Sequence, residues 1–217
     1  MTKFFNLLSF GALSILLACS SPTITDDLLD GDVIFDPSIY NPENFLVSAK
    51  YPNPTAADLE KHIVIAIHGY SATTFEWQEF QDWTGDSANY RVSQVLLDGH
   101  GTTYDDFKAT KWEDWGEAIR KEYELLESLG YTKISLVGSS TGGPLLIQMI
   151  SSGYFGNHLK PKNIFLIDPI VVPSSKLQSV AGIVGPMLVY VESSQEPGDE
   201  KYWYRFRPQE TINELND

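Results

Sequence analysis

The chain has 217 residues, of which 42% are hydrophobic and 20% charged, with a formal charge of −14. Length and composition give one globular domain of ordinary size plus tails and exclude disorder throughout. The acidity, with no cluster of Lys and Arg, excludes a nucleic-acid partner, whose phosphates draw their affinity from such clusters, and disfavours an anionic membrane surface.

The N-terminus reads differently from the rest. Lys3 is the only charge before Asp26, and Phe4 to Leu17 is mostly apolar. That stretch has about the length of a signal-peptide core and is shorter than the roughly 20 residues a spanning helix needs. It ends in Leu16-Leu17-Ala18-Cys19, which resembles the lipobox of bacterial lipoproteins. The resemblance implies that residues 1–18 are removed, that Cys19 carries lipid, and, with Ser20 following, that the protein is sorted to the periplasmic face of an outer membrane. An ordinary export signal or an uncleaved anchor is the alternative. Cys19 is the sole cysteine, so once acylated it leaves no thiol for a disulfide or a metal site.

Residues 19–44 mix Ser, Pro, Asp and Asn with isolated apolar residues and read as a tether. Four apolar, β-branched runs follow, at His62–Ile67, Gln94–Leu97, Lys133–Val137 and Asn163–Ile167. The first and last are apolar on successive residues, the pattern of strands covered on both faces in a parallel sheet. Between them lie helical patterns. Trp115, Ile119, Tyr123, Leu126 and Leu129 mark one buried face, with Thr110 and Glu113 as a capping box before it and Gly130 as a stop. Shorter helices are expected around Thr73–Trp83 and Thr141–Ser152. Strand alternating with helix predicts a three-layer α/β/α sandwich with a mostly parallel sheet, spanning residues 45–168, in which ligands bind at the carboxyl ends of the strands.

The stretch "LVGSSTGG" stands at such a strand end. A G-x-S-x-G turn needs small residues two before and two after the nucleophile, because a β-carbon at either place would strike neighbouring backbone. Gly138 and Gly142 flank Ser140 in this way, whereas Ser139 would need Val137 and Thr141 in those places. Ser140 is therefore the candidate nucleophile, and the N–H of Thr141 a donor to the oxyanion. A Gly/Ser turn without catalysis is the plainer reading of the same residues.

At this point the chain resembles the α/β-hydrolases, in particular their carboxylesterase and monoacylglycerol-lipase branches. His68-Gly69-Tyr70 matches the H-G-aromatic oxyanion loop, Asp98-Gly99-His100-Gly101 the G-H-G loop, and Trp112-Glu113-Asp114-Trp115 a W-x-x-W run. The resemblance covers about residues 60–170 and implies that the Tyr70 N–H is the second oxyanion donor, while His68, Gly69 and His100 shape their loops. His62 and His158 read as solvated side chains. Asp168, before Pro169, is either a triad acid in an early position or the opening of a turn.

In hydrolases of this kind the acid and histidine follow the serine along the chain. Residues 169–217 read instead as the start of a cap, with "ETINELND" opening a helix. Two strands and the catalytic histidine are thus expected to lie beyond this sequence, which reads as a fragment; a catalytically crippled product is the alternative. The expected function is hydrolysis of small carboxylic esters through an acyl-enzyme on Ser140, in a protein held to the membrane by its lipid, with no metal or organic cofactor. A hydrolase-fold lipoprotein that binds a hydrophobic ligand or a partner without turnover is the second expectation.

Overall fold

The computed structural model describes residues 42–85, 89–171, 190–194 and 203–215. The leader at 1–18, Cys19 and most of the expected tether lie outside the described residues.

Four parallel strands make the main sheet: β1 (His62–Ile67), β2 (Tyr90–Val95), β3 (Ile134–Ser139) and β4 (Ile164–Ile167), in the order β2-β1-β3-β4. Successive side chains of β1 point to opposite faces, as a pleated strand requires. Ile63, Ile65 and Ile67 pack with Trp115, Ile119, Tyr123 and Leu126 of helix α5 (Trp112–Ser128) and with Leu145, Leu146 and Met149 of helix α6 (Gly142–Ser151). Val64 and Ala66 meet Trp77 and Phe80 on the other face, which carries helix α3 (Gln78–Thr84). Helices on both faces make the three layers that the alternating pattern predicts.

Two short helices, α1 (Val47–Lys50) and α2 (Ala56–Leu59), precede the sheet. A buried carboxylate ties α1 to the core. Glu122 of α5 accepts from the Ser48 N–H at 3.2 Å, from the Ser48 hydroxyl, and from the Ser93 hydroxyl of β2 at 2.5 Å. Burial pushes its pKa up, against the lowering effect of these bonds.

Some sequence expectations shift. β2 begins at Tyr90 and ends at Val95 instead of running from Gln94 to Leu97. The cap of α5 moves one residue on: Asp114 Oδ2 accepts from the Lys111 N–H at 2.9 Å, while the Thr110 hydroxyl accepts from Trp115 Nε1 at 2.9 Å and donates to Phe107 O. Gly130 closes α5 as expected, with φ 93°. The segment expected as one helix at Thr73–Trp83 is a 3₁₀ turn, Thr74–Trp77, followed by α3. β4 is not covered on both faces: it ends the sheet order, and Phe165, Leu166 and Ile167 are 52%, 40% and 50% exposed among the described residues.

Beyond the sheet, β5 (Tyr190–Glu192) and β6 (Phe206–Pro208) form a separate antiparallel ribbon that leads into helix α7 (Gln209–Glu214). These residues rest on helix α4 (Tyr104–Ala109) and the loop before it. The Tyr204 ring lies flat on Phe107, with centroids 4.6 Å apart. Its hydroxyl accepts from the Thr102 N–H at 3.1 Å and reaches the carbonyls of Gly99 and Thr102 at 2.9 and 2.7 Å. No helix among the described residues is long and apolar enough to cross a membrane.

Candidate active site

The backbone between β3 and α6 turns through Ser140, whose φ of 48° lies in the left-handed region that non-glycine residues rarely occupy. Such a conformation costs on the order of 1–3 kcal/mol and persists only where the surroundings over-determine it. Three backbone hydrogen bonds do so. The Ser140 N–H donates to Ile167 O at 3.0 Å, and Ser140 O accepts from Gly143 and Ile170 N–H at 3.1 and 3.2 Å.

The flanking glycines are required by contact. A β-carbon on Gly138 would lie 2.5 Å from both the carbonyl carbon and oxygen of Gly142, and one on Gly142 would lie 2.8 Å from Ile67 O. Gly143 is equally constrained, since a β-carbon there would sit 2.5 Å from Pro169 Cβ. Ser139, by contrast, is the last ladder residue of β3, in register with Ile167.

Ser140 faces the loop after β1. A β-carbon on Gly69 would come 3.0 Å from Ser140 Cβ and 3.6 Å from its Oγ, so the bare glycine leaves room for the Ser140 side chain. Gly69 O accepts from the Ala72 N–H at 3.3 Å and bonds His68 Nδ1 at 2.8 Å. A trans peptide sets C=O and N–H on opposite sides; with Gly69 O held by the loop, the Tyr70 N–H is turned away from those partners, and it has no acceptor among the described residues. The Thr141 N–H likewise has none, and it stands at the start of α6, where unpaired amides and the helix dipole favour negative charge.

The Tyr70 side chain points elsewhere, its hydroxyl bonded to Thr211 Oγ1 of α7 at 2.7 Å and its pKa raised by burial. What Tyr70 offers the site is its backbone.

All four histidines of the sequence are bonded away from Ser140. His68 Nε2 accepts from the Leu97 N–H at 3.0 Å, which leaves the proton on Nδ1 for Gly69 O. Full burial lowers its pKa to about 4, partly offset by the Gly69 bond. The His100 ring is buried against His68 and Phe107, at 4.9 and 4.5 Å, and its pKa falls well below the ordinary value through burial and then through His68. Both rings bond the backbone of the loops around them, His68 at Gly69 and Leu97 and His100 at Asp98. His62 bonds Ser135 Oγ at 2.8 Å, and His158 bonds Glu127 at 2.9 Å and stacks on Tyr154; neither is simply solvated. Asp168 follows β4 with φ 43° and is exposed. No imidazole is bonded to it, so the structure does not assemble a triad from these residues.

Glu76 is the site neighbour that the sequence reading missed. Its Oε2 accepts from the Gly69 N–H at 2.8 Å. Thr73-Thr74-Phe75-Glu76 has the T-x-x-E spacing of a capping box, a signal that would have sent this carboxylate to its own turn. Thr141 also lines a pocket of about 160 Å³ with Trp112, Trp115, Leu145, Gln148 and Leu215, and its Oγ1 is buried there without a partner. No group of three or more metal-ligating side chains occurs among the described residues.

The chain is similar in part to known proteins. No family model matches the chain. It is 30% identical over 86 residues to a thermostable monoacylglycerol lipase from Bacillus sp. (strain H-257), a match covering 40% of this chain and 34% of that protein. The chain thus spans about a third of the length of this curated relative. Among solved structures it resembles a metagenome-derived lipolytic enzyme from work on LipS and LipT, with TM-score 0.60 and 20% identity over 72% of this chain and 63% of that one. It also resembles the Paleococcus ferrophilus monoacylglycerol lipase, with TM-score 0.52 and 17% identity over 71% and 64%. With its parallel sheet between two helical layers, the chain has the α/β-hydrolase fold.

Proposed function

We propose that the protein is a serine hydrolase that cleaves carboxylic esters through an acyl-enzyme on Ser140. The observation that carries this reading is the turn at Ser140, left-handed and closed in by glycines, beside two amides, of Tyr70 and Thr141, that have no acceptor among the described residues. Ser140 Oγ attacks the acyl carbon as its proton leaves to a base. The carbonyl oxygen takes the negative charge and receives the Tyr70 and Thr141 N–H groups, whose fixed dipoles stabilise it more than mobile water does. The alcohol departs with a proton, and water releases the acid in a second passage through the same hole. None of the four imidazoles is bonded to Ser140, so the base is assigned to none of them.

The substrate class rests on the partial match to a monoacylglycerol lipase and on the apolar pocket beside Thr141. Both favour acylglycerols or other short-to-medium acyl esters. A lipid on Cys19, supported by the Leu16-Leu17-Ala18-Cys19 sequence, would hold the enzyme at a membrane where such esters partition. The apolar lining of the pocket beside Thr141 also supports a second reading, in which it binds a hydrophobic ligand without turnover.

Turnover of p-nitrophenyl and glyceryl monoesters by the complete gene product decides between them. The first reading expects hydrolysis that Ser140→Ala abolishes. Hydrolysis that survives Ser140→Ala refutes it, and ester binding without hydrolysis favours the second.

A further inference from the structure

We infer that Glu76 is a positioning residue for the oxyanion hole: by holding the Gly69 N–H, its carboxylate fixes the loop that presents the Tyr70 amide to Ser140. This role rests on Ser140 being the nucleophile.

Three observations lead to it. First, Glu76 is itself held in place. Thr73 Oγ1 accepts from the Phe75 N–H at 3.3 Å and starts the turn, and the next residue, Trp77, is buried among Val64, Ala66, Val92 and Val137. Second, the carboxylate leaves its own turn and reaches back seven residues to Gly69 at 2.8 Å. A β-carbon on Gly69 would lie 3.4 Å from Glu76 Oε2 and 3.6 Å from Ser140 Oγ, so the carboxylate and the nucleophile press on the same glycine.

Third, the loop needs an outside anchor. Ser71 holds a strained φ of 60° with its hydroxyl buried and unbonded; its carbonyl is held from outside by the Tyr204 N–H at 2.9 Å, while the Gly69 N–H is held by Glu76. Gly69 O is secured by His68 and Ala72, which fixes one side of the glycine; Glu76 secures the other through the N–H. With both peptides on either side of Gly69 fixed, the Tyr70 N–H keeps one direction before any substrate arrives. Such preorganisation is what gives oxyanion donors their effect.

What Glu76 supplies is a hydrogen-bond acceptor, not a charge. A negative charge near a developing oxyanion opposes it, so the neutral Glu76→Gln, whose amide oxygen can accept from Gly69, should serve as well or better. Glu76→Ala should not.

The test uses the complete gene product and two readouts. Hydrogen–deuterium exchange over residues 68–72 reports whether the loop is held, and the rate of covalent labelling by a fluorophosphonate reports whether Ser140 is served by the hole. Glu76→Ala is expected to speed exchange at Gly69 and Ala72 and to slow labelling by about tenfold or more, since small misplacements of catalytic groups are costly. Glu76→Gln is expected to leave exchange near that of the parent and labelling within about threefold of it or faster. Glu76→Ala matching the parent in both, or Glu76→Gln labelling as slowly as Glu76→Ala, overturns the role. A parent protein that takes no label refutes Ser140 as nucleophile; exchange then decides whether Glu76 holds the loop, faster exchange in Glu76→Ala supporting it and unchanged exchange refuting it.

Discussion

His68 makes the fold sensitive to acid in a way that can be measured. Its ring is fully buried, with Nε2 accepting from Leu97 N–H and Nδ1 facing Gly69 O, and its pKa is lowered from 6.5 to about 4. Protonating Nε2 removes the acceptor for Leu97 and puts an uncompensated charge in the core. The unfolded chain binds the proton from pH 6.5 downward, whereas the folded chain resists it until about pH 4. The stabilising contribution is therefore complete above pH 6.5 and is lost as the pH falls toward 4. At about 1.4 kcal/mol per pH unit over that window, the loss is roughly 3 kcal/mol, a large fraction of a typical domain's 5–15 kcal/mol. Urea unfolding between pH 8 and pH 4, on the parent and on His68→Gln, isolates the effect. Glutamine can still accept from Leu97 and does not titrate, so His68→Gln should be the weaker protein at pH 8 yet lose about 3 kcal/mol less on the way to pH 4. Parallel pH profiles for the two proteins would refute the reasoning.

Other consequences can be checked alongside. Gly142→Ala places a β-carbon 2.8 Å from Ile67 O and should cost about 1–3 kcal/mol in urea unfolding, with ester turnover falling on the order of a hundredfold as Ser140 is displaced. Tyr204→Phe leaves Gly99 O, Thr102 O and the Thr102 N–H without their shared partner and should destabilise the fold by about 1–3 kcal/mol; an unchanged denaturation midpoint would argue against that packing. Glu122 has a pKa raised by burial, so it destabilises the folded state as the pH climbs above 4.5. Glu122→Gln should therefore gain stability relative to the parent with rising pH, and a difference that does not vary with pH would contradict the assignment.

The fold was legible where apolar runs were clean. β1 matches its predicted limits because HIVIAI is uniformly buried after its first residue. β2 was displaced because Ser93 breaks the apolar pattern although it is buried, where it bonds Glu122 and the Val47 N–H. Leu97 reads as strand but belongs to the loop, where its N–H is needed by His68. At the candidate site, the turn at Ser140 could be read because its geometry demands glycines at fixed spacing, a local constraint written in local sequence. Glu76 could not, since its partner is a backbone N–H, which leaves no signature in side-chain identity. His62 and His158 were read as solvated because their side-chain partners, Ser135 and Glu127, are distant in sequence.

The central claim is that the hydroxyl at position 140 is the nucleophile. Fluorophosphonate treatment of the complete gene product followed by peptide mapping tests it most directly. The account predicts one phosphonyl adduct, on Ser140, lost in Ser140→Ala and retained in Ser139→Ala. An adduct on Ser139 or on another residue, or a folded protein that takes no label, would contradict it.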